Sequence, residues 1–431
     1  MTATIDPLVA AIPTDLPPVQ RRFVLPAGFV AGGTTCGIKE SGRPDLAIVA
    51  LTADAMPAAA VFTQNAFAAA PVVLSKANLA SGSAARLAKA VIATSGSANA
   101  ATGEAGAADQ VAIVEHLATV LGVAPSAILC MSTGVIGTRL PVDLVTTGID
   151  RLVPAGLTPD ETGLEAAAEA LRTTDSHAKV ATTTVTLPDA DGLAARAVRV
   201  TGIAKGVGMI HPSMATMLAI LTTDADVEPA TLQGLLERAA TGTWNQLSID
   251  GDTSTNDTVF LLASGAAGAR HLNGRSAEAA ALESAINAVA RDLARQQAAD
   301  GEGATTLITC QVSGAADDRD ARAIARAVVS SSLVKAAVHG RDPNWGRIAG
   351  AAGNAAARLD PDRVRIAIAG HVVYDGTRAG PVAFDRDAAR AAMTAAEVLV
   401  RLDLGLGEGS GEAFGCDLTE EYVRENSEYS T

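Results

Sequence analysis

A layered α/β architecture in two lobes is what this chain of 431 residues predicts. Short apolar runs of strand length alternate with helical patterns along the sequence, as sheets covered by helices require. The chain is longer than the size at which one hydrophobic core usually stops growing, so two lobes are expected. With 48% hydrophobic and 19% charged residues it can fill a large interior.

Leu46–Thr52, Pro71–Ser75 and Ala90–Thr94 read as the first strands, each a short run of mostly apolar residues. Ala107–Leu121 follows as a helix that ends at Gly122, a suitable terminator. Met217–Leu221 is continuous enough for a strand buried on both faces, and a loop rich in Gly and Pro precedes it. In Ala279–Gln297, Leu282, Ile286, Val289 and Leu293 recur at helical spacing and line one face. Thr306–Val312, Val364–Gly370 and Val398–Leu404 read as strands, and the glycine-rich GLGEGSGEAFG near residue 410 as a loop before a short tail. Neither an internal repeat nor a low-complexity tract nor an interdomain linker is evident.

Composition narrows the function. A formal charge of -14 and 3% aromatic residues disfavour nucleic acid, which needs cationic surface and stacking side chains. No run is long and apolar enough to span a membrane, and Asp6 and Asp15 stand where a signal peptide would carry basic residues, so a soluble cytoplasmic protein is expected. Cys36, Cys130, Cys310 and Cys416 lie far apart and read as free buried thiols in a reducing compartment. A phosphate loop is excluded because the chain has no Gly-Lys pair, and KGVGM and GLGEGSG lack the third glycine of a dinucleotide fingerprint. IDGDTSTNDTV places Asp250, Asp252 and Ser254 at the first ligand positions of a calcium loop, but Thr255 replaces its glycine and Leu261 its bidentate Glu. No metal is expected, and no GxSxG elbow is present.

One hydroxyl stands out in KGVGMIHPSMATMLAILTTDA, residues 205–225: Thr216, at the entrance to the buried run. A threonine is a weak nucleophile without a base, and the amine of a chain beginning with that threonine would serve, since an α-amino group titrates near ~8. That chemistry requires a cut before Thr216, by attack of its hydroxyl on the Ala215 carbonyl, an N-to-O acyl shift and hydrolysis. Pro212 would help bend the loop. MSTGVIGTRLP, residues 131–141, is a candidate source of oxyanion donors: Gly134 permits close backbone approach and Thr133 adds a hydroxyl or amide. Glu302, between Gly301 and Gly303 in a mobile setting, suits a cationic substrate, and Lys205 suits a carboxylate. Each also has a plain reading: a threonine that starts a strand, a turn after a strand, a solvated loop, a surface lysine.

These stretches, together with GIKESGRPDLAIV, DGEGAT, SSSLVKAAVHGRDPNWGRI and GCDLTEEYVRENSEYST, resemble the ornithine acetyltransferase (glutamate N-acetyltransferase) family of arginine biosynthesis, in order from Gly37 to Thr431. The resemblance implies an α-β-β-α sandwich of the N-terminal-nucleophile-like class. It implies a precursor that cuts itself between Ala215 and Thr216 into an α chain (1–215) and a β chain (216–431), held together as a heterotetramer. Thr216 would carry the acetyl group from N-acetylornithine to glutamate, with Thr133 and Gly134 as the oxyanion hole. Thr173, Lys205, Thr216, Glu302, Asn426 and Thr431 would contact substrate. No cofactor is implied, acetyl-CoA being an optional co-substrate. Ser97, Ala101, Ser176, Ala178, Thr306 and Glu425 depart from the family pattern. An N-terminal-nucleophile aminopeptidase or amidase, a paralogous acyltransferase of specialised metabolism and a non-catalytic relative are the competing readings.

Overall fold

The computed structural model describes residues 8–9, 15–81, 86–153, 155–211 and 217–428. Ala215, Thr216, Pro212 and Thr431 lie outside the described residues.

Two stacked sheets make the first lobe. One has four strands in the order Phe29–Thr34, Leu46–Leu51, Ala90–Ser97, Ile128–Val135. The other has six, in the order Leu87–Ala88, Met56–Phe62, Thr258–Ala263, Leu218–Thr223, Ala195–Lys205, Lys179–Pro188. Their strands are apolar at successive positions because both faces are covered. In Leu46–Leu51, Ala47, Val49 and Leu51 face the second sheet's Leu218, Ile220, Phe260 and Leu262. Leu46, Ile48 and Ala50 face the helices Gly103–Leu121 and Val142–Leu152 through Ile113, Leu117, Val145 and Ile149. The second sheet's outer face buries Ala219, Leu221 and Leu261 under Leu235 and Leu236 of helix Pro229–Gly242 and Leu282, Ile286, Val289 and Leu293 of helix Ala277–Ala299. The layers run helix, sheet, sheet, helix. Each Val, Leu or Ile so buried contributes about 1.5–3 kcal/mol of transfer free energy.

The second lobe is a seven-stranded sheet ordered Leu247–Ser248, Gly409–Cys416, Leu307–Ala315, Glu397–Asp403, Arg365–Ile368, His371–Asp375, Gly380–Pro381. It has its own core, where Ile324 and Val328 of helix Asp318–Ser330 and Ile348 of helix Trp345–Gly353 meet Ile308, Val312 and Val400. Helix Ala277–Ala299 joins the lobes: its apolar face lies on the first, while Arg291 pairs with Glu412 and Arg295 with Glu397 (Nη2 to Oε2 2.7 Å) on the second. Both guanidinium groups sit over the Phe414 ring, at 5.5 and 5.7 Å from its centre. Among the described residues no helix is long and apolar enough to cross a membrane.

The expected strands from 46, 90, 217, 306, 364 and 398 and both expected helices are present, with ends displaced by a few residues. Two expectations are corrected. Pro71–Ser75 is not a strand but part of helix Ala70–Ser81. Proline is favoured in a first helical turn, and Val72, Ser75 and Leu79, all buried, recur at three and four residues. The glycines near residue 410 do not make a loop: Gly409–Cys416 is an interior strand. Helix Asp318–Ser330 crosses it so closely that a Cβ at Gly409 would lie 2.2 Å from the Asp317 carbonyl carbon, and one at Gly411 2.8 Å from the Arg322 nitrogen. These glycines serve contact. The tail beyond carries helix Glu420–Glu428.

Candidate functional site

Six of the residues singled out from the sequence, Thr133, Gly134, Thr173, Lys205, Glu302 and Asn426, line one pocket of about 130 Å³ between the lobes' facing loops. They come from separate segments, and each is placed by a different device.

Thr133 and Gly134 end the strand Ile128–Val135. Gly134 has φ +130° and lies against Gly96; a Cβ there would be 2.3 Å from the Gly96 carbonyl carbon, so only glycine fits. Asn256 braces this end. Its Nδ2 donates to the carbonyls of Ala98 at 2.7 Å and Ser132 at 2.8 Å, which sets the backbone on either side of the pocket's floor.

Lys205 ends the strand Ala195–Lys205, and its Nζ donates to the Thr133 hydroxyl at 3.2 Å. Burial pushes its pKa below the ordinary lysine range; Lys179 adds to this, while Asp175, Glu302 and Asp257 oppose it. Asp175 is buried as well, which alone would raise its pKa, but Lys205 and Lys179 with hydrogen bonds from Lys179 and Gly206 hold it down to about 2. The Lys179 ammonium bridges Asp175 at 2.7 Å and Asp300 at 2.6 Å. A buried chain of alternating charge thus stands behind Lys205.

The pocket's lining also carries a carboxylate. Glu302 receives the Thr174 hydroxyl on Oε1 and the Asn426 amide on Oε2, each at 3.0 Å, and its own N–H donates to the Val207 carbonyl at 2.8 Å. The mobile setting inferred from its glycines is therefore corrected: a Cβ at Gly303 would lie 2.4 Å from the Tyr422 nitrogen, and one at Gly208 2.3 Å from Glu302 Oε2. Those glycines let helix Glu420–Glu428 and the 206–208 turn close on the carboxylate. Burial raises the Tyr422 phenol to about 12, with Asp250, Glu302 and Asp252 adding to the shift. Asp250 faces backbone amides, accepting from Met209, from Ile210 at 2.8 Å and from Asp252 at 3.1 Å, which gives the first acidic residue of IDGDTSTNDTV a structural role.

Ala215, Thr216 and Thr431 lie outside the described residues, but the ends of the 212–216 segment are anchored. Ile210 O accepts from Ile249 N at 2.7 Å and His211 O from the Thr253 hydroxyl at 2.7 Å. His211 Nδ1 lies 3.0 Å from Ser248 Oγ, and burial with Arg326 nearby lowers the imidazole to about 4. On the far side Met217 O accepts from Thr258 N at 3.0 Å, and the sheet register sets Leu218 opposite Lys205. The sequence assigned no role to Asp175, Asn256, Thr174 or Tyr422, which act through backbone contacts or across the fold.

Residues 30–431 match the model of the ArgJ family. The chain is 46% identical to the arginine biosynthesis bifunctional protein ArgJ of Synechococcus sp., over 96% of this chain and 98% of that protein. It is 47% identical to the protein of the same name from Thermus thermophilus, over 94% and 99%. Among solved structures, it is similar to the argJ protein of Bacillus halodurans at 41% identity and TM-score 0.48, covering 50% of this chain and 100% of that one. An ornithine acetyltransferase complexed with ornithine, from Mycobacterium tuberculosis, is 36% identical with TM-score 0.40, covering 46% and 98%. By the extent of the family match and its identity to these relatives, the chain belongs to the ArgJ family.

Proposed function

We propose that this pocket transfers an acetyl group from N-acetylornithine to glutamate, the arginine-biosynthesis reaction expected of the family. One observation carries the reading: Thr133, Gly134, Thr173 and Lys205, from before residue 216, share a pocket with Glu302 and Asn426, from after it. The pocket's lining offers both a cation, Lys205, and a carboxylate, Glu302, as a donor with a carboxylate and a side-chain amine requires.

In this mechanism the precursor first cuts itself. The Thr216 hydroxyl attacks the Ala215 carbonyl, the acyl bond moves from nitrogen to oxygen, and water releases residues 1–215 as one chain and 216–431 as another. The new α-amine, titrating near ~8, takes the hydroxyl proton when Thr216 attacks N-acetylornithine. Thr133 and Gly134 stabilise the oxyanion, ornithine leaves, and the acetyl ester passes to the amine of glutamate. Lys205 and Thr173 hold the substrate carboxylate, Glu302 and Asn426 the distal amine, and Thr431 closes the site. The two chains associate as a heterotetramer in the cytoplasm, and acetyl-CoA is an optional second donor.

The test is the intact mass under denaturing conditions. Wild type is expected to give two chains, the second beginning at Thr216, and Thr216→Ala a single chain of 43.4 kDa. One uncut chain in both sinks the mechanism. Release of acetate at the same rate with and without glutamate favours an amidase instead.

A further inference from the structure

The Arg172–Thr173 peptide is gripped from both sides by charged groups that do not line the pocket. Lys39 Nζ donates to the Arg172 carbonyl at 2.6 Å, and Asp175 Oδ2 accepts from the Thr173 N–H at 3.2 Å. Lys39 belongs to a loop more than a hundred residues away in sequence and is fixed there by a second bond, to the Pro44 carbonyl at 2.6 Å. Its stem passes under Gly96, where a Cβ would be 3.2 Å from Lys39 Cγ, and Gly96 is the residue on which Gly134 rests. The other oxygen of Asp175 accepts from the Gly206 N–H at 2.8 Å, next to Lys205. One lysine and one carboxylate therefore tie together Thr173, Lys205 and the Gly134 strand end.

We propose that Lys39 and Asp175 are positioning residues for the carboxylate-binding wall of the pocket: Lys39 orients Thr173 through the Arg172 carbonyl, and Asp175 locks Thr173 to the Lys205 strand end through two backbone amides. The inference rests on the acyl-transfer reading given above, in which Thr173 and Lys205 contact substrate. Hydrogen bonds from an ammonium to a carbonyl, or from amides to a carboxylate, are the stronger kind, and their strength depends on the charge. The two groups differ in when they lose it. Burial, with Arg43, Lys205 and Arg172 nearby and Asp45 opposing, brings the Lys39 ammonium down to about 8, whereas Lys205 and Lys179 hold the Asp175 carboxyl down to about 2, so it stays ionised through the Lys39 titration. Above about pH 8 the Arg172 carbonyl is held by a neutral amine, and Thr173 is less firmly placed.

The experiment measures KM and kcat for N-acetylornithine from about pH 6.5 to about pH 9.5, a span that brackets the lysine titration, on the wild-type protein and on Lys39→Arg, Lys39→Met and Asp175→Asn. Wild-type KM should rise above about pH 8. Lys39→Arg should keep the low KM and show a smaller rise, since a guanidinium stays charged while Lys205, whose pKa burial also lowers, still titrates. Lys39→Met should give a KM roughly tenfold above the wild-type value below about pH 8, a gap that narrows above it, with kcat changed less than about twofold, the size expected for losing one charge-assisted hydrogen bond. Asp175→Asn should raise KM as well and, by removing the carboxylate that opposes the lowering of the Lys205 pKa, move the rise to lower pH. The nucleophile's amine titrates in every variant, so comparing wild type with Lys39→Arg isolates Lys39. Superimposable KM profiles for those two, or a fall in kcat at unchanged KM in Lys39→Met, overturn the proposal. A wild-type protein that moves no acetyl group from N-acetylornithine overturns the acyl-transfer reading itself, and the clamp with it.

Discussion

Glu302 shows what a single residue owes to its surroundings. Its carboxylate accepts one bond from Thr174 and one from Asn426, which leaves lone pairs on both oxygens for a substrate amine. Glu302→Gln keeps the shape and removes the charge, so acetylornithine should be used at a KM raised roughly tenfold, as for a lost charged hydrogen bond. Self-cleavage should proceed at the wild-type rate, because Glu302 bonds Thr174, Asn426 and Val207 rather than Thr133 or Gly134. Steady-state kinetics and a cleavage time course check the two halves separately; unchanged kinetics would remove Glu302 from the substrate. At this scale Thr133, Gly134, Thr173, Lys205, Glu302 and Asn426 were legible as residues of one pocket, because each is of a type with few substitutes, while Thr216 lies outside the described residues. Asn256 and Asp175 were not. Their work is to hold backbone carbonyls and amides, and a bond to backbone leaves no pattern in the partner's sequence.

Among the elements, helix Ala277–Ala299 was the easiest to read and has the most consequences. Its leucine spacing marked the face that covers the six-stranded sheet, and Leu293 is wholly buried there. Leu293→Ala should therefore cost about 2–5 kcal/mol, as deletion of a core leucine does. Denaturant unfolding should show a lower midpoint with an unchanged slope, and a loss below about 1 kcal/mol would mean that the helix packs less tightly than described. The helix's other face left no mark in the sequence, since nothing sets Arg291 and Arg295 apart until Glu412 and Glu397 are seen opposite. The same cause explains both misreadings of elements. Val72 and its neighbours look like a strand until the buried positions are known, and Gly409 and Gly411 look like a loop until helix Asp318–Ser330 is laid across them.

For the whole molecule, the most consequential arrangement is the pairing of Ala195–Lys205 with Leu218–Thr223, six antiparallel partners that run from Lys205 with Leu218 to Val200 with Thr223. Leu218–Thr223 is held on its other edge by Thr258–Ala263. A break between residues 215 and 216 would cut the connection between two neighbouring strands and leave the sheet whole. The two chains should accordingly migrate as one species in native gels and size exclusion and separate only in denaturant; dissociation in native buffer would contradict this arrangement. The α/β layering and the two lobes were readable from the alternation of elements and the length of the chain, but the place where the lobes meet was not, because it depends on contacts between residues more than a hundred positions apart, such as Glu412 with Arg291. The anchored ends of the 212–216 segment also bear on biosynthesis. His211 is tied to Ser248 and Thr253, Met217 to Thr258, and the Thr133 strand end is braced by Asn256. In the proposed mechanism the attack at residue 216 would need all these segments to have come together, so a misfolded precursor would stay uncut. Maturation would then act as the cell's own inspection step: chains that fail to fold never acquire a nucleophile, and no half-built enzyme is released to react at random.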